Sequence, residues 1–445
     1  MSKSKASEDS FTTVKVSDET HAKLKGMAKY GETMDQVVER LTVQARSYEG
    51  IYSKLAAQAK AGETPDQVIQ RLGAQSKGLE DVVAGKSAVC FIDGHEGRLL
   101  YRGYDIADLA AKSSYEETAF LLWNGHLPTS TELRAFTLDL SSKRPVPREV
   151  TSIIATLPRN CDAMDALRVG VAALGVFDDP MYSQQERAMS IASKMGTLVA
   201  AIHRHKHEQD VIPPREDMGF ASDFLYMVTG EEPSEADARL MDVLLILHAD
   251  HEFNASTFTA RVIASTLSDI YSAVTGAVGA LKGPLHGGAN EKVVEMTAEI
   301  GTPDKVDAYI GAKLAGKQKI TGFGHRVYKT MDPRAKILKD MAAKFTKSEK
   351  ERQALEILGR LEVIMRQEKN LYPNVDLYSG LALNHIGVPS YLFTPVFAVG
   401  RAPGWLAHIL EQYADNRIIR PVSEYVGPAR TEYVPIEKRT AEAKR

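Results

Sequence analysis

After residue 103 almost everything is helical in period, and no strand-like run alternates with a helical one. MSIASKMGTLVAAIHRHKH and SEADARLMDVLLILHADHE are long amphipathic or buried helical stretches. Pro213 and Pro214 in VIPPRED mark a loop between them. This pattern excludes a parallel sheet and a dinucleotide-binding βαβ unit. The one strand-like feature of this region precedes it. AVCFIDGHEGRLLYRG (88–103) reads as a β-hairpin turning at Asp93-Gly94. An all-α fold follows, and 445 residues suggest two or three domains.

The first 76 residues have a different texture. His21–Leu41 and Tyr52–Leu72 align at an offset of 31, with 12 of 21 positions identical. Each copy reads helix, Gly, helix. Gly31 and Gly62 suit a left-handed C-terminal cap. Thr33 and Thr64, followed by Gln36 and Gln67, suit capping boxes. FTTVKV (11–16) alternates like a strand, so strand–helix–helix here resembles a ribbon-helix-helix unit. Residues 1–78 hold 12 basic and 10 acidic side chains, too small a surplus for a DNA reader. The expectation is a dimerisation or docking module.

Composition narrows the function classes. The chain carries 55 Lys+Arg against 58 Asp+Glu, a net charge of −3, which argues against a nucleic-acid partner. Two cysteines, Cys90 and Cys161, cannot build a disulfide framework. MSKSKASEDS has no apolar core of a secretory signal. The uncharged run 377–400 contains Asn384, His385, Pro389 and Pro395, which makes it a poor membrane span. A cytoplasmic protein with no membrane partner is expected.

Four histidines and an aspartate sit in settings that a plain helix would not choose. LHADHEFNAS holds His248 and His251, GPLHGGAN holds His286, GFGHRVYK holds His325, and LYPNVDLYSG places Asp376 in a turn-like segment. His248 and His251, three apart, are able to share a helix face as metal ligands, but no third ligand is placed and HExxH is absent, so no metal is expected. HRHKH (203–207) reads as a solvated helix end. GAKLAGKQ (311–318) comes near a phosphate loop but lacks the final hydroxyl and has a helical period, so it reads as a helix. The glycines of GFGHR allow a ligand close to the backbone.

Together these segments, from KGLEDVVAGKSAVCFIDGHEGRLLYRGYDI through DNRIIRPVSEYVGP, resemble the citrate synthase family over nearly all of residues 77–430 and in the family's order. The resemblance implies a large helical domain (77–285 and 390–445) and a small one (286–389), with 1–76 as an extension. It implies condensation of acetyl-CoA with oxaloacetate and hydrolysis of citryl-CoA, with 2-methylcitrate synthesis from propionyl-CoA as the alternative. A regulatory protein on an enzyme-like core is a third reading, opposed by the intact catalytic set. In that set Asp376 takes a methyl proton from acetyl-CoA, His286 donates to the thioester oxygen, and His325 polarises the oxaloacetate carbonyl. His251, Arg334, Arg401 and Arg420 hold the substrate. Arg420 reaches into a neighbouring subunit's site, which implies a homodimer. Gly322, Gly324, Lys329 and Asn374 are the implied coenzyme A positions. No cofactor is permanently bound; acetyl-CoA is a co-substrate. Where the family often has His-Pro, this chain has Asp162-Ala163, with only local packing changes expected.

Overall fold

A computed structural model describes residues 77–79 and 82–439. The repeat, the strand-like run at 11–16 and the ribbon-helix-helix resemblance lie outside them. Residues 87–421 form one compact unit. Of the remaining described residues, 422–439 are exposed and irregular apart from a short 3-10 turn, Ile436–Lys438.

The compact unit opens with the expected hairpin. β1 (Cys90–Asp93) pairs antiparallel with β2 (Arg98–Tyr101), and a third short strand, β3 (Tyr104–Asp105), adds to β2. The connection is not the tight turn that Asp93-Gly94 suggests, but a four-residue loop, 94–97. The Asp93 carboxylate accepts the N–H groups of His95 and Glu96 at 2.9 Å, and the turn is centred two residues later than expected.

Everything after β3 is helical: α1 (Ile106–Lys112), α2 (Tyr115–Asn124), α3 (Ser130–Ser142), α4 (Arg148–Thr156), α5 (Ala163–Phe177), α6 (Gln184–Lys206), α7 (Phe220–Thr229), α8 (Glu235–His248), α9 (Ala255–Ser265), α10 (Ile270–Leu281), α11 (Ala289–Ile300), α12 (Val306–Ala315), α13 (Pro333–Phe345), α14 (Glu349–Lys369), α15 (Asp376–His385) and α16 (Phe393–Ala414). Of the near phosphate loop at 311–318, residues 311–315 end α12, and Gly316, Lys317 and Gln318 turn away beyond it. α7 stands between the two long helical stretches, after the VIPPRED loop. Asp162 caps α5 by accepting the N–H groups of Met164 and Asp165, which gives that departure from the family a local structural use.

Helix α16 is the axis of the core. Nearly every residue from Phe393 to Ile409 is buried, and it packs against α2, α6, α8, α9 and α10. It contains Pro403, which cannot donate to the carbonyl of Val399 one turn back. The Tyr115 hydroxyl donates to that carbonyl instead, at 3.1 Å. Gly400 and Gly404 let α16 meet the end of α8 closely. A Cβ on Gly404 would lie 2.1 Å from the Ala249 carbonyl oxygen, and one on Gly400 would lie 3.0 Å from the His248 Cβ. That approach presses Arg401 against the segment carrying His248 and His251. Among the described residues, no helix is long and apolar enough to cross a membrane.

The HRHKH stretch departs from the expected solvated end. His203 Nδ1 and His207 Nε2 lie 2.6 and 2.8 Å from the Tyr391 hydroxyl, and His205 Nε2 lies 2.9 Å from the Leu157 carbonyl oxygen. Tyr391 supplies a polar partner that local spacing does not reveal.

Candidate active site

Four connecting segments converge. The first follows α8. His248 is the last helical residue, so His251 does not share a helix face with it; Ala249–Asn254 turn away before α9. The turn uses a left-handed Glu252, φ +51°, whose carboxylate accepts the Ile92 N–H of β1 at 2.9 Å. Asp250 receives the Glu252 N–H at 3.2 Å and pairs with His408 Nε2 at 3.2 Å. Asn254 then caps α9.

The second segment, between α10 and α11, carries His286. Its Nε2 receives the backbone N–H of Ser256 at 3.3 Å and lies 2.9 Å from Ser256 Oγ. Gly287 is required here, because a Cβ would sit 2.6 Å from the Leu281 carbonyl oxygen.

The third segment holds Gly322 (φ +87°), Gly324 (φ +77°) and His325. It is tied to the fourth, 372–376. Gly324 N–H donates to the Tyr372 carbonyl at 2.9 Å, Asn374 N–H to the Gly322 carbonyl at 3.0 Å, and Asn374 Nδ2 to the Gly324 carbonyl at 3.0 Å. Asn374 Oδ1 accepts the Asp376 N–H at 3.1 Å. Asp376 is therefore the first residue of α15 rather than part of a free turn. His325 Nδ1 receives the N–H groups of Val327 and Tyr328, at 3.0 and 3.3 Å, so the ring proton of the neutral form sits on Nε2.

The hairpin loop braces this third segment. Lys329 N–H donates to the Gly94 carbonyl at 2.8 Å, and a Cβ on Gly94 would fall 2.2 Å from the Val327 carbonyl oxygen. Gly94→Ala should displace the loop that holds His325. We expect a loss of about 1–3 kcal/mol in thermal unfolding, the usual cost of overpacking.

The pocket brings together His251, His325, Arg334 and Arg401. The His251 and His325 rings lie 5.0 Å apart, and Tyr328 packs on both, at 5.6 and 4.8 Å. Asp332 caps α13 and grips the Arg334 guanidinium through Nε (3.0 Å) and Nη2 (2.7 Å). Arg401 donates through Nε to the His248 carbonyl and lies over the Phe397 ring at 4.9 Å. Phe397 also borders His248 and His286, at 4.7 and 6.3 Å.

Burial sets the electrostatics. It pushes His286 down to about 4, aided by the Arg401 charge, and His325 down to about 4, aided by Arg334. His251 is lowered by burial and then by Arg334. Burial lowers Arg401 to about 10 despite the Asp250 charge. For Arg334, burial opposes the charge, but the Asp332 carboxylate outweighs it and holds the guanidinium protonated. Asp376, half-buried, is pushed up to about 7 by burial; Arg334 pulls the other way and Asp332 adds to the rise. Strongly shifted groups gathered in one pocket mark a functional site.

Several buried polar atoms here have no hydrogen-bond partner among the described residues: Arg401 Nη1, His248 Nε2, Asp250 Oδ1, His251 Nε2 and the Tyr328 hydroxyl. The free Arg401 Nη1 and the Tyr328 hydroxyl are donors that suit an anionic ligand. Asp250 Oδ1 is balanced by the charges of His408 and Arg401, and the His248 ring, whose Nδ1–H donates to the Leu244 carbonyl at 2.7 Å, offers only a lone pair at Nε2. No group of three or more His, Cys, Asp or Glu is placed to hold a metal ion among the described residues.

Two expected residues stand apart. Arg420 is exposed in the irregular stretch after α16, and has no hydrogen bond or ion pair among the described residues. Its neighbours are pinned to the end of α9, through Ile419 N–H to Ser265 Oγ at 3.0 Å. Lys329 is exposed, and its ammonium reaches only the Arg326 carbonyl. The sequence reading missed Ser256, Tyr328, Asp332 and the Asp250–His408 pair. His408 lies seven residues beyond Arg401, two turns along α16, a spacing that places both on one helix face.

This is a helical enzyme with a buried, cationic, histidine-lined pocket. A family model, "Citrate synthase, C-terminal domain", matches residues 78–422. The chain belongs to the citrate synthase family. It is 48% identical over 364 residues to "Citrate synthase 2" of Bacillus subtilis, covering 80% of this chain and 97% of that protein. It is 42% identical over 349 residues to "2-methylcitrate synthase" of Mycobacterium tuberculosis, covering 78% and 89%. A solved citrate synthase of Thermoplasma acidophilum, described as a ternary complex with carboxymethyl coenzyme A and oxaloacetate, superposes with a TM-score of 0.78 at 37% identity, covering 81% of this chain and 98% of that one.

Proposed function

We propose that this chain is a citrate synthase that condenses acetyl-CoA with oxaloacetate and hydrolyses citryl-CoA to citrate and CoA. The observation that carries the reading is the anion pocket of His251, His325, Arg334 and Arg401, with its unpartnered donors, beside a carboxylate poised near neutrality.

Oxaloacetate is a dianion, and the guanidinium forks of Arg334 and Arg401 suit its carboxylates. His325 Nε2–H donates to its ketone oxygen. Asp376 takes a proton from the acetyl methyl group. His286, with Nε2 occupied by Ser256 N–H, offers Nδ1–H to the thioester oxygen as enolate charge develops. The enolate carbon then attacks the polarised ketone while His325 gives its Nε2 proton to the forming alkoxide, and water cleaves the resulting citryl thioester.

Coenzyme A belongs beside Gly322, Gly324 and Asn374, with Lys329 available to a phosphate. Arg420 completes the carboxylate set of a second copy, so the active form is a homodimer in the cytoplasm. Residues 286–389 form a small domain that closes over the substrates and shields the enolate from water.

The test is thiol release with oxaloacetate and either acetyl-CoA or propionyl-CoA. We expect kcat/KM to favour acetyl-CoA. A preference for propionyl-CoA would make the chain a 2-methylcitrate synthase; no thiol release with either would overturn the reading.

A further inference from the structure

The Tyr328 side chain is 4% exposed, yet its hydroxyl has no hydrogen-bond partner among the described residues. A buried hydroxyl without a partner costs stability, so its persistence calls for a partner that arrives later. Its surroundings say what kind. The ring is wedged against His251 and His325, and the charges of Arg334 and Asp332 both act on the phenol. Both Asp332 oxygens are already engaged by Arg334. Cys90 and Tyr101 are also within charge range of the phenol, yet its O–H has no acceptor among the described residues. Burial and the Asp332 charge keep the phenol protonated, against the pull of Arg334, and hence a donor.

We infer that the Tyr328 hydroxyl is a substrate-binding group, donating a hydrogen bond to an oxygen of the bound keto-dicarboxylate on the Arg334 side of the pocket. The inference rests on the oxaloacetate reading above and deepens it. The backbone of the same residue holds His325 in its tautomer, so Tyr328 serves the ligand twice: through its N–H by way of His325, and through its O–H directly.

Tyr328→Phe tests it, since it removes one oxygen and keeps the ring packing. A hydrogen bond to a charged acceptor implies a roughly ten- to hundred-fold rise in KM for oxaloacetate. The KM for acetyl-CoA should stay within about threefold. Thermal unfolding of the ligand-free dimer should be unchanged or shifted upward, because an unpartnered buried hydroxyl has been removed. The upward shift in Tm produced by saturating oxaloacetate should shrink. An unchanged oxaloacetate KM would overturn the inference, and so would a lower ligand-free Tm with the oxaloacetate shift intact, which marks a structural hydroxyl. Thiol release by the wild-type chain, run in parallel, keeps this failure distinct from failure of the oxaloacetate reading.

Discussion

Asp376→Asn should leave a folded protein whose kcat is lower by about three to four orders of magnitude, near the upper limit for a single positioned base. The methyl group of a thioester is a far weaker acid than a carboxylic acid, so a carboxylate of ordinary basicity takes its proton poorly. Burial narrows the gap by moving Asp376 up to about 7. The base must be ionised to act, so kcat/KM should climb with pH through an apparent pKa near 7 and level off above it. The Asn variant should lose that limb. Stability moves the other way. An acid whose pKa is raised on folding binds its proton more tightly in the folded state. Its contribution is therefore most favourable below the unfolded value of about 4, and it is lost as pH rises towards 7. With each pKa unit worth about 1.4 kcal/mol and Asp376 only half-buried, the Asn variant should gain roughly 2–3 kcal/mol over wild type at pH 8 and little near pH 4. Thermal unfolding at both pH values, beside the pH–rate profile, checks both arms. A kcat within tenfold of wild type would remove Asp376 as the base.

The helical class was legible because periodicity is a local property, and sixteen helices among the described residues follow it. The motif residues were legible as chemistry for a related reason. Glycines beside histidines, as in GPLHGGAN and GFGHRVYK, mark close backbone approaches, and Gly287 and Gly322 do meet neighbouring atoms that a Cβ would strike. What escaped depends on residues distant in sequence. Ser256 is thirty positions from His286, and Tyr391 is 188 from His203. Asp250 and His408 meet only because α16 crosses the end of α8. The hairpin loop lengthened because a side chain outcompeted the turn preference of a dipeptide. Tyr328 lay inside a recognised motif, but an aromatic in a helical protein is ordinarily core; only the unpartnered hydroxyl separates it from one.

His286→Ala should lower kcat by about a hundred- to a thousand-fold, the usual cost of losing one preorganised donor to a developing oxyanion. The structure specifies which nitrogen donates. A backbone N–H only donates, so the contact from Ser256 N–H requires a bare Nε2. Burial and Arg401 hold the ring near 4, hence neutral at pH 7, and its single proton is then on Nδ1. Ser256 Oγ is compatible with this arrangement as a second donor. It lies 2.9 Å from the same Nε2, accepts the Trp405 indole N–H at 3.0 Å, and its one proton is shared between that bare nitrogen and Asn254 Oδ1 at 2.7 Å. Ser256→Ala keeps the backbone donor but leaves the Trp405 N–H buried without an acceptor. It should therefore cost about 1–3 kcal/mol of stability while lowering kcat only several-fold. The contrast between the two variants identifies the device. If Ser256→Ala lost as much kcat as His286→Ala, the hydroxyl rather than the backbone N–H would set the tautomer. If His286→Ala kept kcat within tenfold, the enolate would find its stabilisation elsewhere in the pocket. A neutral imidazole is also the better match for this task. A protonated ring beside Arg401 would add a second buried charge before the substrate arrives, whereas Nδ1–H of a neutral ring strengthens its interaction only as negative charge appears on the thioester oxygen.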